Sequence, residues 1–157
     1  MNDEFLFESF VKILDSAYKN SVHKKIIIKT DFGYELFSEY YITKQENGYK
    51  IFKAGTDVEH TFSFLKNAVI WASFYKTDKI LDADRVLLLD QLLNGINFSI
   101  ELNVSLSKKT KDLEKYSIYV TKIVEDKTRR DQIKKELNSY EQMVKKWQYS
   151  QFNAITS

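Results

Sequence analysis

From Lys79 to Phe152 the chain runs for more than seventy residues with no proline and a single glycine, Gly95. Apolar residues recur there every three or four positions, set among Lys, Glu, Asn and Gln. That spacing is the period of an α-helix, and a stretch without breakers offers few of the turns that strands of ordinary length need. Long helices are the expected outcome. On a chain of 157 residues, helices of that length present more surface than one small core covers, so contact with another chain is their expected use.

One segment of this stretch reads in two ways. Ile96, Phe98, Ile100, Leu102, Val104 and Leu106 alternate with polar residues as a strand would, and residues 116–124 are rich in β-branched side chains. A β-hairpin pairing 96–106 with 115–124 is therefore the alternative. A three-four spacing nevertheless runs through Leu89, Leu92, Ile96, Ser99, Asn103, Leu106, Thr110, Leu113, Ser117, Val120 and Val124. It resumes at Ile133, Leu137, Tyr140, Val144, Trp147 and Gln151. Between Lys108 and Lys115 there are helix formers and no turn residue, which favours a continuous helix through 96–124. Such a helix places Ile96, Ile100 and Val104 on one side, with Phe98 and Leu102 elsewhere. The polar residues on the seam weaken a two-stranded coil, so two helices folding back on each other are expected, with the break near Glu125–Asp131.

The first half has a different rhythm. Residues 3–20 read as an amphipathic helix capped by Asp3, with Phe7, Phe10, Val11, Leu14, Ala17 and Tyr18 at helical spacing. Lys25–Lys29 is a short β-branched run. Tyr34–Lys44 reads as a second strand, with Tyr34, Leu36, Tyr40 and Ile42 on one face. Asn47-Gly48 signals a tight hairpin to a return strand at Tyr49–Lys53, and Val58–Phe62 reads as one more strand. Residues 64–75 then form a helix, with Phe64, Ala68, Trp71, Ala72 and Tyr75 on one side, broken at Lys76-Thr77-Asp78. The expected fold is α+β: a small antiparallel sheet of three to four strands packed on helices in residues 1–78, followed by a long helical hairpin in 79–157, the two forming one structural unit.

Stretches of this chain, namely Phe64–Ala68, Leu89-Asp90 through Gly95-Ile96, Lys108–Asp112, Glu125–Lys127, Glu136–Tyr140 and Trp147-Gln148, resemble small uncharacterised proteins encoded by tailed phages of marine bacteria, of the cyanophage and pelagiphage type. The likeness spans a little over half the chain. It implies a viral origin and a more plainly helical 96–124 segment. It implies no activity, and points to virion parts, host-takeover adaptors and DNA-metabolism accessories.

Catalytic and metal-binding patterns are missing from the sequence. Cysteine is absent, which removes disulfides and thiolate zinc sites. The two histidines, His23 and His60, have thin company; Asp57 and His60 lack an evident third ligand. The four glycines are scattered, with neither a phosphate loop nor a nucleophile elbow among them. Asp82, Asp84 and Asp90 read as acidic side chains near a helix start, where the helix dipole favours them. No cofactor, metal or enzymatic activity is expected. The acidic N-terminus is unlike a signal peptide, and apolar runs such as Val86–Leu89 fall far short of a membrane span. A soluble protein, in the cytoplasm of a host cell or in a virion, is the expectation.

Two surfaces are candidates for binding. The outer seam of the last helix, Tyr140, Val144, Trp147 and Phe152, is expected to carry self-association or docking on a larger assembly. The alternative is nucleic acid. Ser107–Lys146 holds twelve Lys or Arg against seven Asp or Glu, in a chain of net charge +2. The patch Lys127, Arg129, Arg130, Lys134 and Lys135 would hold phosphates. A sheet bearing Tyr34, Phe37, Tyr41, Tyr49 and Phe52 beside Lys44, Lys50 and Lys53 would stack bases, with Tyr41 the residue to test.

Overall fold

A computed structural model describes residues 27–156, with side chains placed from Ile28 to Lys146. The helix expected over residues 3–20 lies outside the described residues. Five strands, β1 (Ile27–Thr30), β2 (Gly33–Leu36), β3 (Tyr40–Gln45), β4 (Gly48–Lys53) and β5 (Glu59–Phe62), pair in chain order as one antiparallel meander. Three helices follow: α1 (Leu65–Lys76), α2 (Ile80–Lys109) and α3 (Leu113–Thr156).

The strand expected over Tyr34–Lys44 is two strands. Leu36 pairs with Tyr40, and a β-turn closes between them with the Glu39 N–H donating to the Leu36 carbonyl at 3.0 Å. Both central residues, Phe37 (φ 55°) and Ser38 (φ 60°), are left-handed, the geometry of a type I′ turn. Neither residue type announces such a turn. Its span preserves the parity of the pleat, so Tyr34, Leu36, Tyr40 and Ile42 still share the core face, as the alternation required. The next hairpin falls at Glu46-Asn47, with Gln45 opposite Gly48.

Helix α1 is buried on nearly every side, from Leu65 through Phe74. It lies between the sheet and the helical hairpin, which leaves only Lys66 and the last residues partly open, and the buried Asn67 and Ser73 are hydrogen-bonded. Trp71 is the hub: its ring meets Tyr40 (6.0 Å), His60 (5.0 Å), Phe62 (5.9 Å) and Tyr75 (4.9 Å). One apolar core joins Leu36, Ile42, Ile51 and Phe62 of the sheet to α1, to Ala83, Val86, Leu89 and Leu93 of α2, and to Leu137 and Val144 of α3.

Residues 96–124 are helical but not continuous, and the break is placed differently from expectation. Thr110 adopts an extended conformation (φ −78°, ψ 143°), and α3 begins at Leu113. The Asp112 carboxylate accepts the N–H groups of Glu114 (2.9 Å) and Lys115 (3.3 Å), an N-cap in the position that Asp favours. Glu125–Asp131, where the break was expected, is uninterrupted helix. The arms are 30 and 44 residues long, or about 45 and 66 Å.

Candidate interaction surface

The expected outer seam is not free surface over the part that can be placed. Val144 is 1% exposed and belongs to the core. Tyr140 is half-buried, its ring edge-on to Phe74 at 5.5 Å, and burial pushes its hydroxyl pKa upward. The physical reason is the length of α3, whose C-terminal half passes back over α1 and the start of α2. The side chains of Trp147 and Phe152 lie outside the described residues.

The apolar surface that is exposed lies elsewhere on the hairpin. Among the described residues, fourteen large apolar side chains are exposed, and twelve belong to α2 or α3. On α2 they include Leu81, Leu88, Leu92, Phe98 (68% exposed) and Leu102. Leu81, Leu88, Gly95 and Leu102 recur every seven residues, two helical turns apart, and so share one face. The opposite side, Val86, Leu89, Leu93, Ile96 and Ile100, is buried. This explains the alternation at 96–106: the helix is apolar on two faces, with Ile96 and Ile100 packed inward while Phe98 and Leu102 face out. On α3 a second stripe, Leu113, Val120 and Val124, is exposed at three-to-four-residue multiples. The heptad at Leu81, Leu88 and Leu102 was the sequence signal that could have identified this surface.

Inside the hairpin the packing is partly polar. Asp126, 1% exposed, accepts the Ser99 hydroxyl at 2.7 Å and the Lys122 ammonium at 3.4 Å. The Ser99 hydrogen bond, helped by Lys122 and Arg129, holds its carboxyl below the usual value against the opposing effect of burial. Asn103 donates to the Ser99 carbonyl at 2.8 Å. Nearby, the buried Nε of Arg130 has no hydrogen-bond partner among the described residues. Closer to the sheet, Arg85 grips Glu136 through two bonds of 2.6 and 2.8 Å, which lowers the Glu136 pKa. Lys66 and Lys145 both reach Glu141, each at 3.2 Å.

Asp90 departs most from its expected role. It lies mid-helix in α2, 1% exposed, and caps a different helix. Its carboxylate accepts the N–H groups of Ser63 (2.8 Å) and Phe64 (3.2 Å) and the amide of Asn67 (3.0 Å) at the start of α1. Phe64 has no side-chain cap of its own, so the anion delivered by α2 satisfies that helix end.

The nucleic-acid candidates are divided between α3 and the sheet. Lys127, Arg129, Lys134 and Lys135 are exposed, and Arg130 is half-buried. At 100° per residue, Lys127 and Lys134 share a face while Arg129 points to nearly the opposite side of α3. The proposed aromatic platform is divided by the pleat. Tyr34, Lys44, Tyr49 and Lys53 share the core-facing side, whereas Tyr41, Lys50 and Phe52 are on the other. Tyr41 stacks on Phe52 at 5.5 Å, and Lys50 pairs with Glu59. A depression of about 440 Å³ on that outer side is lined by Thr43, Lys50, Phe52, Asp57 and Glu59, so acidic and basic groups share it. His60 is turned to Trp71, and among the described residues no three His, Cys, Asp or Glu side chains converge as a metal would require.

Among the described residues no helix is long and apolar enough to cross a membrane. Comparison of the chain with protein-family models, curated proteins and solved structures gave no match.

Proposed function

We propose that this is a non-enzymatic interaction protein, a small α+β head bearing a helical hairpin that associates with copies of itself or docks on a larger protein assembly. The observation that supports it is the second apolar face of the hairpin. Leu81, Leu88, Leu92, Phe98 and Leu102 lie on the side of α2 turned from the core. Isolated exposed leucines are ordinary on a soluble protein, but a repeating stripe along one helix marks a surface that gains by being covered.

Sedimentation of the full chain tests it. The wild type should sediment as a species heavier than its 18.6 kDa chain mass at about 100 μM. A lysine at Leu102 should restore the mass of one chain without loss of helix content. If the wild type is a single chain under those conditions, self-association is excluded and only docking on a different protein remains.

A further inference from the structure

Gly95 sits at the middle of α2, fifteen residues after Ile80 and fourteen before Lys109. A Cβ there would meet nothing within 4 Å among the described residues. Neither backbone conformation nor packing among those residues calls for glycine, and glycine inside an exposed helix destabilises it relative to alanine. What glycine does permit on a helix surface is the close approach of another backbone.

The residues around Gly95 are arranged symmetrically. Leu92 and Phe98 lie three positions to either side, and Leu88 and Leu102 seven positions to either side; all four are exposed. Leu88, Leu92, Gly95 and Leu102 fall on the four-three spacing of helices that pack nearly parallel or antiparallel, while Ser99, at the intervening position, is turned to Asp126 of α3. The flanking charges are polarised, with exposed Asp84 near the start of α2 and exposed Lys109 at its end.

We propose that α2 binds a second copy of this chain in antiparallel orientation, with Gly95 against Gly95 on a two-fold axis, so that two hairpins form a four-helix assembly. In that register Leu88 of one copy meets Leu102 of the other, and Leu92 meets Phe98. Asp84 comes within one turn of the opposite Lys109. Parallel pairing would instead set Asp84 against Asp84 and Lys109 against Lys109. The same patch serves both copies, as a two-fold interface requires. The inference rests on the association proposed above and names its surface and partner; the stripe at Leu113, Val120 and Val124 is outside it.

The chain has no cysteine, so single cysteines report contacts directly. Gly95→Cys in the full chain should give a disulfide-linked dimer on mild oxidation. Leu88→Cys alone should not, because position 88 lies about 21 Å along the axis from its own copy. A mixture of Leu88→Cys and Leu102→Cys chains should cross-link. In sedimentation, Leu88→Lys with Leu102→Lys should weaken the dimer about tenfold or more while circular dichroism is unchanged. Gly95→Ala should raise the thermal midpoint of the single chain and weaken the dimer. Self-cross-linking of Leu88→Cys overturns the proposal. So does a wild-type dimer that Gly95→Cys fails to link, although association through the helices then stands, carried by another face. A wild type that stays a single chain at about 100 μM overturns it together with self-association.

Discussion

Asn67 and Asp90 are separated by 23 residues in the chain and by 3.0 Å in space. Their hydrogen bond belongs to a set of three that ends α1 on a carboxylate supplied by α2. Three donors depend on one buried acceptor, and hydrogen bonds to a charged group contribute more than neutral ones. Asp90→Ala should therefore destabilise the fold by about 3 kcal/mol, and Asp90→Asn, which keeps one acceptor, by about half of that. The measurement is urea unfolding, read as a lower midpoint at constant slope. An Asp90→Ala protein with the wild-type midpoint would show that the start of α1 does not depend on this contact.

Tyr40 is fully buried, and its hydroxyl has no hydrogen-bond partner among the described residues. Burial, with Glu39 nearby, pushes its pKa up to about 12. Its neutral form is thus favoured by folding: the contribution is intact below about pH 10 and is lost as pH rises through about 12. Tyr40→Phe removes an unsatisfied polar atom and keeps the ring that packs on Trp71. It should stabilise the protein by about 1 kcal/mol at neutral pH and flatten the loss of stability above about pH 10. A variant less stable than wild type would mean that the hydroxyl is bonded in solution.

Asp126 titrates in the opposite sense. Its carboxyl is held below the usual value by the Ser99 hydroxyl and by Lys122. Stability from this contact is present above the ordinary carboxylate value and is lost as pH falls through the lowered folded value. Ser99→Ala should cost about 1 kcal/mol at pH 7, and the gap to wild type should close below about pH 4. Urea titrations across that range decide it, and a gap that persists unchanged in acid would rule out the linkage.

Ser105 lies inside α2, whereas Thr110 is its C-cap. Ser105→Pro removes a helical hydrogen bond and clashes with the preceding turn, so a loss of about 3 kcal/mol or more is expected. At Thr110 the backbone already has a φ of −78°, close to that of proline. Thr110→Pro gives up one N–H bond to Leu106, of 3.1 Å, and should cost about 1 kcal/mol. Thermal unfolding of the pair checks the order; equal losses would extend the helix through Thr110.

Where two signals coincided locally, the sequence was legible. The helix at 64–75 and the turn at Glu46-Asn47 follow from period and turn chemistry alone. The sides taken by Ile96, Ile100, Phe98 and Leu102 follow from the helical period. Places governed by one residue in an unusual backbone state were not legible. Phe37 and Ser38 turn left-handed because Leu36 and Tyr40 both have to reach the core. Asp112 ends a run of helix formers by capping the next helix, and Asp at that position was a readable but overlooked signal.

Tyr140 and Val144, the part of the expected seam whose side chains are described, are covered for a related reason. Periodicity shows that Val144 and Leu137 share a face, just as Leu88 and Leu102 do, but it does not say which apolar face finds cover within the chain. That depends on where α3 turns, and the turn at Thr110–Asp112 carries its C-terminal half over α1, burying Val144 and leaving the far side of α2 bare.

The sequence alone thus determined the local elements, because hydrogen-bond periods and apolar spacing act between residues a few positions apart: an antiparallel meander, a core helix and long arms. Tertiary structure decided everything that depends on residues distant in the chain. It brought Asp90 to the end of α1, set Asp126 against Ser99, made α1 a buried layer, and selected which of the two apolar faces of α2 remained exposed. Those outcomes follow from how packed helices share one limited core, a quantity that no single stretch of sequence contains.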